Sequence, residues 1–155
     1  MSKYKTCCFT GHRKIPTNEF YTIYEQTKNQ IETLVQNGYN NFIAGGALGF
    51  DTLAATAVIN VKKEYPRIRL ILHLPCKEQT KYWNERDKRI YEHIKSVADE
   101  IYYVSEHYTP TCLNDRNKTM VNASNVVIAY KRKESGGTAN CVRYAKSKNR
   151  NIIYI

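Results

Sequence analysis

Two glycine-rich segments are the parts of this chain whose residue types and spacing best suit ligand chemistry. The first, Gly45-Gly46-Ala-Leu-Gly49-Phe-Asp51, follows a short apolar run that predicts a β-strand. Its glycines free the backbone to turn, and the helix predicted next offers unpaired N–H groups at its positive end. Ser135-Gly136-Gly137-Thr138 opens the last predicted helix in the same way. Two such loops predict a ligand with more than one anionic or polar group.

Neither loop carries a standard nucleotide signature. The spacing of the glycines fits neither G-x-G-x-x-G nor G-x-x-x-x-G-K-[ST], so it supports neither a dinucleotide fingerprint nor a P-loop. Asp51 is open to two interpretations. It is the N-cap of the following helix, or it faces the ribose hydroxyls of a ligand.

Cationic side chains follow other predicted strands. After the first strand, Gly11 allows close backbone approach beside Thr10, and Arg13 could bind a phosphate or carboxylate through two N–H groups. A tight turn with a surface arginine is the alternative, and His12 is either a general acid or base or a turn residue. After the fourth strand, Arg116 and Asn117 lie in the start of a helix that points at the same edge of the sheet.

An aromatic residue follows the third predicted strand, and two metal-type ligands lie around the end of that strand. Gln79 and Trp83 are four residues apart, so on a helix they could present an amide and a stacking face to one ligand ring. Packing of Trp83 against the sheet is the alternative. His73-x-x-Cys76 has a spacing found in metal sites, but no second pair completes it, so we predict no metal.

The elements that position these residues alternate along the whole chain. Apolar runs of strand length alternate with segments of helical period, which predicts a mainly parallel six-stranded sheet with helices on both faces. The fold class is therefore α/β, a single-domain, Rossmann-like three-layer α/β/α fold over residues 1–155. The strands are predicted at residues 6–9, 41–44, 70–74, 100–104, 126–130 and 152–155, and the helices at about 20–35, 53–61, 83–97, 114–123 and 138–148.

The composition limits the classes of protein to which this chain can belong. The 155 residues suffice for one core, and Lys plus Arg exceed Asp plus Glu by 24 − 14 = 10, which favours an anionic partner. Five cysteines, an odd number without C-x-x-C, suit reduced and partly buried thiols rather than a disulfide framework. No apolar run has the roughly 20 residues of a membrane helix, and the start of the chain lacks the pattern of a secretory signal. We therefore expect a cytoplasmic protein with no membrane partner.

The glycine loops together with Gln79-x-x-x-Trp83, Ala98-Asp99 and Arg116-Asn-Lys-Thr-Met-Val-Asn-Ala-Ser-Asn125 resemble the YpsA-like branch of the SLOG superfamily. That superfamily groups the DNA-processing protein DprA, also called Smf, with the LOG phosphoribohydrolases. The resemblance implies a nucleotide-type pocket at the strand ends. The residues that match its lining are Thr10, Gly11, Arg13, Gly45, Gly46, Gly49, Asp51, Arg116, Asn117, Gly136, Gly137 and Thr138.

The resemblance implies three functions to compare. The first is a binding or sensor protein for a nucleotide, nucleotide-sugar or ADP-ribose-like molecule, with Trp83 against the base. The second is LOG-like hydrolysis of nucleoside monophosphates, and the third is DprA-like binding of single-stranded DNA. No cofactor is implied beyond the nucleotide-type ligand. Because SLOG proteins often pair through helices, a homodimer is also an expectation.

Two positions depart from the LOG enzyme motif. Counted from Thr138, the position of the enzyme's glutamate holds Cys141, and the lysine after the helix arginine is replaced by Asn117. Cleavage of an N-glycosidic bond needs a carboxylate near the sugar, and a cysteine is neither a good base nor a fixed negative charge. Asp51, Asp115 or Glu85 could supply that carboxylate only where the fold brings one beside the ribose, so the catalytic residues stay unknown.

Overall fold

A computed structural model describes residues 5–155 of the protein. Residues 1–4 lie outside the described residues. The predicted domain includes them, and so does the segment in which no secretory signal is expected. The strands are β1 (Thr6–Gly11), β2 (Asn41–Ala44), β3 (Arg69–Cys76), β4 (Glu100–Ser105), β5 (Val126–Tyr130) and β6 (Asn151–Tyr154). The helices are α1 (Phe20–Gln36), α2 (Phe50–Lys62), α3 (Glu85–Val97), α4 (Cys112–Asn122) and α5 (Gly137–Ser147), with a 3₁₀ turn at Thr17–Glu19 before α1.

The six strands form one sheet in the order β4-β3-β2-β1-β5-β6, and every neighbouring pair is parallel. This confirms the predicted α/β, Rossmann-like architecture. The inner strands β1, β2, β3 and β5 are buried almost throughout. Parallel strands covered on both faces need apolar side chains on both, which explains the apolar runs within their sequences.

Helices cover both faces of the sheet and divide the core into two clusters. Phe9 and Phe42 point toward the face covered by α1, α2 and α3. Their neighbours Cys8 and Ile43 belong to the cluster beneath α4 and α5. Successive strand residues thus serve opposite layers, as the period of two requires.

The ends of two helices follow local sequence signals. Gly38, with φ +92°, follows the end of α1, because glycine adopts this left-handed conformation at little cost. Helix α3 begins only at Glu85, since Asn84 caps it by accepting the Asp87 N–H at 2.8 Å. The prediction that Trp83 lies on this helix, one turn from Gln79, is therefore wrong, and both residues lie in the turns before it.

The chain order creates a crevice beside β1. From β1 the chain proceeds through β2 and β3 to β4 at one edge, and β5 and β6 then continue on the other side of β1. Loops that leave neighbouring strands in opposite directions open a cleft at the carboxyl ends of the strands. Among residues 5–155, no helix is both long and apolar enough to cross a membrane.

Candidate ligand-binding site

A cavity of about 400 Å³ lies in this crevice, and we call it the central cavity. It is bounded by the loop after β1, the start of α2, the start of α4 and the loop that leads into α5. Its lining residues are Phe9, Thr10, Gly11, His12, Arg13, Ala47, Asp51, Leu113, Arg116, Asn117, Lys133, Ser135, Gly136, Gly137 and Thr138.

Nine of the predicted site residues meet around this cavity. They come from four separate segments of the chain, and they are Thr10, Gly11, Arg13, Asp51, Arg116, Asn117, Gly136, Gly137 and Thr138. Sequence reasoning missed Phe9, Ala47, Leu113, Lys133 and Ser135. Ser135 directly precedes the Gly136-Gly137 pair and Lys133 stands two residues earlier, so their proximity to that recognised loop was a usable signal.

The start of α5 forms one wall of the central cavity. Gly136, with φ +96°, turns the chain into the helix, and a Cβ atom added at Gly136 or Gly137 would meet no atom within 4 Å. The first N–H groups of a helix have no partner within the helix, and they carry its positive dipole end. With the exposed Lys133 alongside, this wall is electropositive and sterically open.

The floor of the cavity carries a buried pair of opposite charges. Arg116 and Asp51 are only 5% and 6% exposed. The Arg116 Nη1 atom donates a short hydrogen bond to the carbonyl oxygen of Gly45, and Nε donates to Asn117 Oδ1 at 2.9 Å. Burial raises the pKa of Asp51 and lowers that of Arg116, and the attraction between the two charges opposes both shifts.

Asp51 does not cap its helix. Gly49 occupies the N-cap position of α2, and Asp51 stands in the first turn, where Oδ2 accepts the Ala47 N–H at 3.2 Å. The N-cap interpretation is therefore wrong. The carboxylate closes the glycine loop onto the helix and also borders the central cavity.

The glycines of the first loop do not line the central cavity, and they permit close packing instead. A Cβ atom at Gly46 would lie 2.4 Å from Leu74 Cδ2, and one at Gly49 would lie 2.2 Å from the carbonyl oxygen of Arg13. Both residues also have a positive φ. Phe50 donates its N–H to the carbonyl oxygen of His12 at 3.0 Å, so α2 holds the loop that carries Arg13. That Gly45, Gly46 and Gly49 contact a ligand stays a prediction.

A sequence model of the YspA SLOG family (YpsA) matches residues 7–154, which include every element of this site. The chain belongs to the YspA SLOG family. This confirms the resemblance drawn from the motifs. It also relates the chain to known proteins over almost its whole length.

Two curated relatives of this SLOG chain come from Bacillus species. It is 37% identical over 130 residues to the uncharacterized SPbeta prophage-derived protein YoqJ of Bacillus subtilis (strain 168), covering 75% of each chain. It is 29% identical over 122 residues to a UPF0398 protein of Bacillus cereus (strain G9842), covering 77% of this chain and 66% of the relative. The match therefore spans just under two thirds of that second protein.

Solved structures of DNA processing protein A share the fold. The Streptococcus pneumoniae DprA structure has a TM-score of 0.71 at 16% identity, covering 98% of this chain and 50% of that one. The Helicobacter pylori structure, described for its single-stranded DNA binding mode, has a TM-score of 0.70 at 20% identity, covering 99% of this chain and 65% of that one. The chain thus spans half to two thirds of the DprA chains.

The residue at the LOG glutamate position is buried and neutral. Cys141 is 2% exposed, and burial raises the pKa of its thiol to about 11, although a hydrogen bond with Thr10 opposes the shift. The thiol is therefore protonated at neutral pH, so it can serve neither as a base nor as a thiolate nucleophile. All five cysteines are free and buried.

Of the three carboxylates considered as replacements, only Asp51 borders the central cavity. Asp115 accepts a hydrogen bond from the Thr111 hydroxyl at 2.9 Å, and it is not among the residues that line the cavity. Glu85 begins α3, and its side chain is 80% exposed.

His12 faces the cavity in its neutral form. Its Nε2 accepts the Arg132 N–H at 2.8 Å, so the proton of the neutral ring resides on Nδ1. Burial lowers the pKa of His12, and the nearby cations Lys133 and Arg132 lower it further. The ring therefore carries one N–H donor, at Nδ1, and no positive charge.

Trp83 borders a different cavity. This second space, of about 460 Å³, lies past Arg13 at the ends of β3 and β4, and we call it the aromatic cavity. Its lining residues are Arg13, Pro75, Cys76, Glu78, Gln79, Lys81, Tyr82, Trp83, Tyr108, Cys112 and Leu113. Trp83 also packs on Tyr91, with ring centroids 5.5 Å apart, so it retains part of the core role weighed as the alternative. His73 donates its Nδ1–H to the Thr119 hydroxyl at 2.9 Å, because that hydroxyl itself donates to the carbonyl oxygen of Arg116.

Proposed function

We propose that this protein is a cytoplasmic binding or sensor protein for a nucleotide-derived small molecule, held in the central cavity. The observation that carries the proposal is the convergence of Arg13, Lys133 and the open start of α5 on one space. Cationic side chains and unpaired helix N–H groups are the groups that bind phosphate. Asp51 lines the same space, and in this proposal it accepts hydrogen bonds from the sugar hydroxyls of the ligand.

In this proposal the protein binds its ligand without LOG-type hydrolysis. The buried Cys141 thiol supplies no carboxylate at the enzyme's glutamate position. Asn117 replaces the motif lysine, and its side-chain oxygen accepts a hydrogen bond from Arg116. Incubation with nucleoside monophosphates followed by chromatography tests this point. Release of free base and ribose 5-phosphate would establish hydrolysis, and Asp51 would then be the first carboxylate to test as a catalytic group.

The cytoplasmic setting and the homodimer also belong to the proposal. Five free, buried thiols suit a reducing compartment. The homodimer rests on the resemblance alone. Light scattering after size-exclusion chromatography distinguishes a mass near that of one chain from twice that mass.

The binding experiment is thermal unfolding with AMP, ADP, ATP, NAD, ADP-ribose, cyclic nucleotides and oligo-dT at two salt concentrations. A ligand at 100 times its dissociation constant adds about 2.7 kcal/mol of stability, which raises the midpoint clearly. We expect one nucleotide to raise the midpoint at both salt concentrations. No shift with any nucleotide at saturating concentration would contradict the proposal.

Single-stranded DNA binding is the second candidate. It is favoured by the net charge of +10, by the exposed rings of Tyr82 and Tyr108, and by the fold shared with DprA. Backbone contacts lose affinity with salt in proportion to the phosphates engaged, with a logarithmic slope of about −0.7 per phosphate for single strands. A midpoint shift with oligo-dT alone that disappears at the higher salt concentration would favour this candidate.

A further inference from the structure

The aromatic cavity and the central cavity are neighbours that share part of their walls. Arg13 and Leu113 line both spaces. Each space has the size of a small-molecule site, for which about 300 to 1,000 Å³ is usual. A ligand with two chemically different parts could therefore occupy both, with its linkage beside Arg13.

The rim of the aromatic cavity carries exposed aromatic rings. Tyr82 is 89% exposed and Tyr108 is 64% exposed, while Trp83 is partly buried and less exposed than either of them. Such rings at the mouth of a cavity provide faces on which a planar ligand ring can stack. They come from the loops that follow two neighbouring strands, β3 and β4.

These two loops are tied to each other, so the rim is preformed. The Lys77 N–H donates to the carbonyl oxygen of Glu106 at 3.3 Å, and the Tyr108 N–H donates to Glu78 Oε1 at 2.8 Å. An ion pair of 3.1 Å joins the side chains of Lys77 and Glu106 as well. A preformed rim loses little conformational entropy when a ligand binds.

Gln79 adds an oriented polar group to the wall. Its Oε1 accepts the Tyr91 hydroxyl at 3.2 Å, and Tyr91 also packs against Trp83. In this arrangement Oε1 is the acceptor end of the amide. The Nε2 end is then the donor that a ring nitrogen or carbonyl oxygen of a ligand can use.

We infer that the aromatic cavity is the subsite for the planar heteroaromatic ring of the ligand, stacked on Tyr82, Trp83 and Tyr108 and met by the Gln79 amide. This inference rests on the proposed function and narrows it. The phosphates occupy the central cavity, Arg13 stands at the junction, and the ligand is a nucleotide with an intact base. A phosphorylated sugar alone would leave the aromatic cavity unfilled.

Trp83 gives this inference a direct reporter, because it is the single tryptophan of the chain. Titrations with AMP, with ADP-ribose and with ribose 5-phosphate are followed by tryptophan fluorescence and by calorimetry. We expect at least one of the two nucleotides to change the Trp83 emission as it binds. Ribose 5-phosphate keeps the phosphate and sugar but lacks the ring, so it should leave the emission unchanged and bind roughly 5- to 150-fold more weakly, as loss of one stacked base predicts.

The variant Tyr82→Ala tests the subsite without disturbing the core, because the ring is almost fully exposed. We expect nucleotide affinity to fall about fivefold or more, and the affinity for ribose 5-phosphate to stay unchanged. The matched control is Tyr21→Ala. Tyr21 is 74% exposed on α1 and borders neither cavity, so its loss should change neither affinity.

The outcomes separate this inference from the proposed function. If a nucleotide binds with unchanged Trp83 emission and unchanged affinity in Tyr82→Ala, the subsite is wrong and the proposed function stands. If neither nucleotides nor ribose 5-phosphate bind, both are wrong. In a third outcome, only oligo-dT binds, and its affinity falls both in Tyr82→Ala and with added salt. The rings then belong to a nucleic-acid surface, and the small-molecule subsite is overturned.

Discussion

The carboxylate of Asp51 and the guanidinium of Arg116 come together beside the Cα atom of Gly45, at the floor of the central cavity. A Cβ atom built on Gly45 would lie 2.8 Å from Asp51 Oδ2 and 2.7 Å from Arg116 Nη1. Both charged side chains are almost fully buried. The absence of a side chain at position 45 is therefore what allows these two groups to approach each other.

We predict that Arg116→Ala lowers the free energy of unfolding by about 3 to 5 kcal/mol. The substitution leaves the buried Asp51 carboxylate without its cation, and it removes the hydrogen bond to the carbonyl of Gly45. Urea unfolding of the wild type, of Arg116→Ala, of Asp51→Asn and of the double variant that carries both substitutions measures the effect. If the two groups interact, the double variant loses less than the sum of the single losses, and strict additivity would show that they are independent.

We predict that Gly45→Ala lowers the free energy of unfolding by about 1 to 3 kcal/mol, the usual range for an overpacked site. The added methyl group would intrude between Asp51 and Arg116. Gly137→Ala is the matched control, because its Cβ atom meets nothing within 4 Å, and we expect it to be neutral or stabilising by up to about 1 kcal/mol. Equal losses in both variants would contradict this account of Gly45.

Local signals in the sequence were enough to predict the order of the elements. Strand and helix periods are properties of a few adjacent residues, so all six strands and five helices lie near their predicted positions. The boundary at Trp83 was missed although the sequence carries a signal for it. Asn84 followed three residues later by Asp87 is a capping pattern, and it starts α3 after the tryptophan.

The use made of each glycine could not be predicted in the same way. A glycine that admits a ligand and one that admits a neighbouring side chain have the same sequence signal. Gly46 and Gly49 prove to be packed against Leu74 and the backbone of Arg13, whereas Gly136 and Gly137 face open space. The difference depends on contacts between segments distant in sequence. For the same reason Tyr82 and Tyr108 carried no signal, since only the fold brings their two loops together.

A pH dependence is predicted from His73. Thr119 donates its hydroxyl to the carbonyl oxygen of Arg116 at 2.7 Å, so it accepts the Nδ1–H of a neutral His73 at 2.9 Å. Burial lowers the pKa of His73 from 6.5 to about 4, while nearby Glu100 opposes that shift. As the pH falls, His73 is therefore protonated in the unfolded chain before it is protonated in the folded chain. The folded state consequently loses stability between pH 6.5 and about 4.

The loss assigned to His73 is up to about 3 kcal/mol, at 1.36 kcal/mol for each unit of pKa. Urea unfolding at several pH values between 4 and 7, for the wild type and His73→Leu, isolates this contribution. We expect the slope of stability against pH to be smaller in the variant over this window. Identical slopes would mean that His73 titrates alike in the folded and unfolded chain.

Arg13 gives the sharpest test of the central cavity, because it is exposed and should affect binding without affecting stability. We predict that Arg13→Ala weakens nucleotide binding roughly 10- to 150-fold, as expected for loss of a charge-assisted hydrogen bond worth about 1.5 to 3 kcal/mol. The free energy of unfolding should change by no more than about 0.5 kcal/mol. Calorimetric titration and urea unfolding measure the two quantities.

Arg67→Ala is the matched control for Arg13→Ala. Arg67 is also exposed, but it precedes β3 at the amino ends of the strands and does not border the central cavity. Both variants lower the net charge by one, so only a local contact can distinguish them. If Arg67→Ala weakens binding as much, the effect comes from the overall positive field of the protein. If Arg13→Ala binds like the wild type, the nucleotide does not occupy the space between the β1 loop and α5.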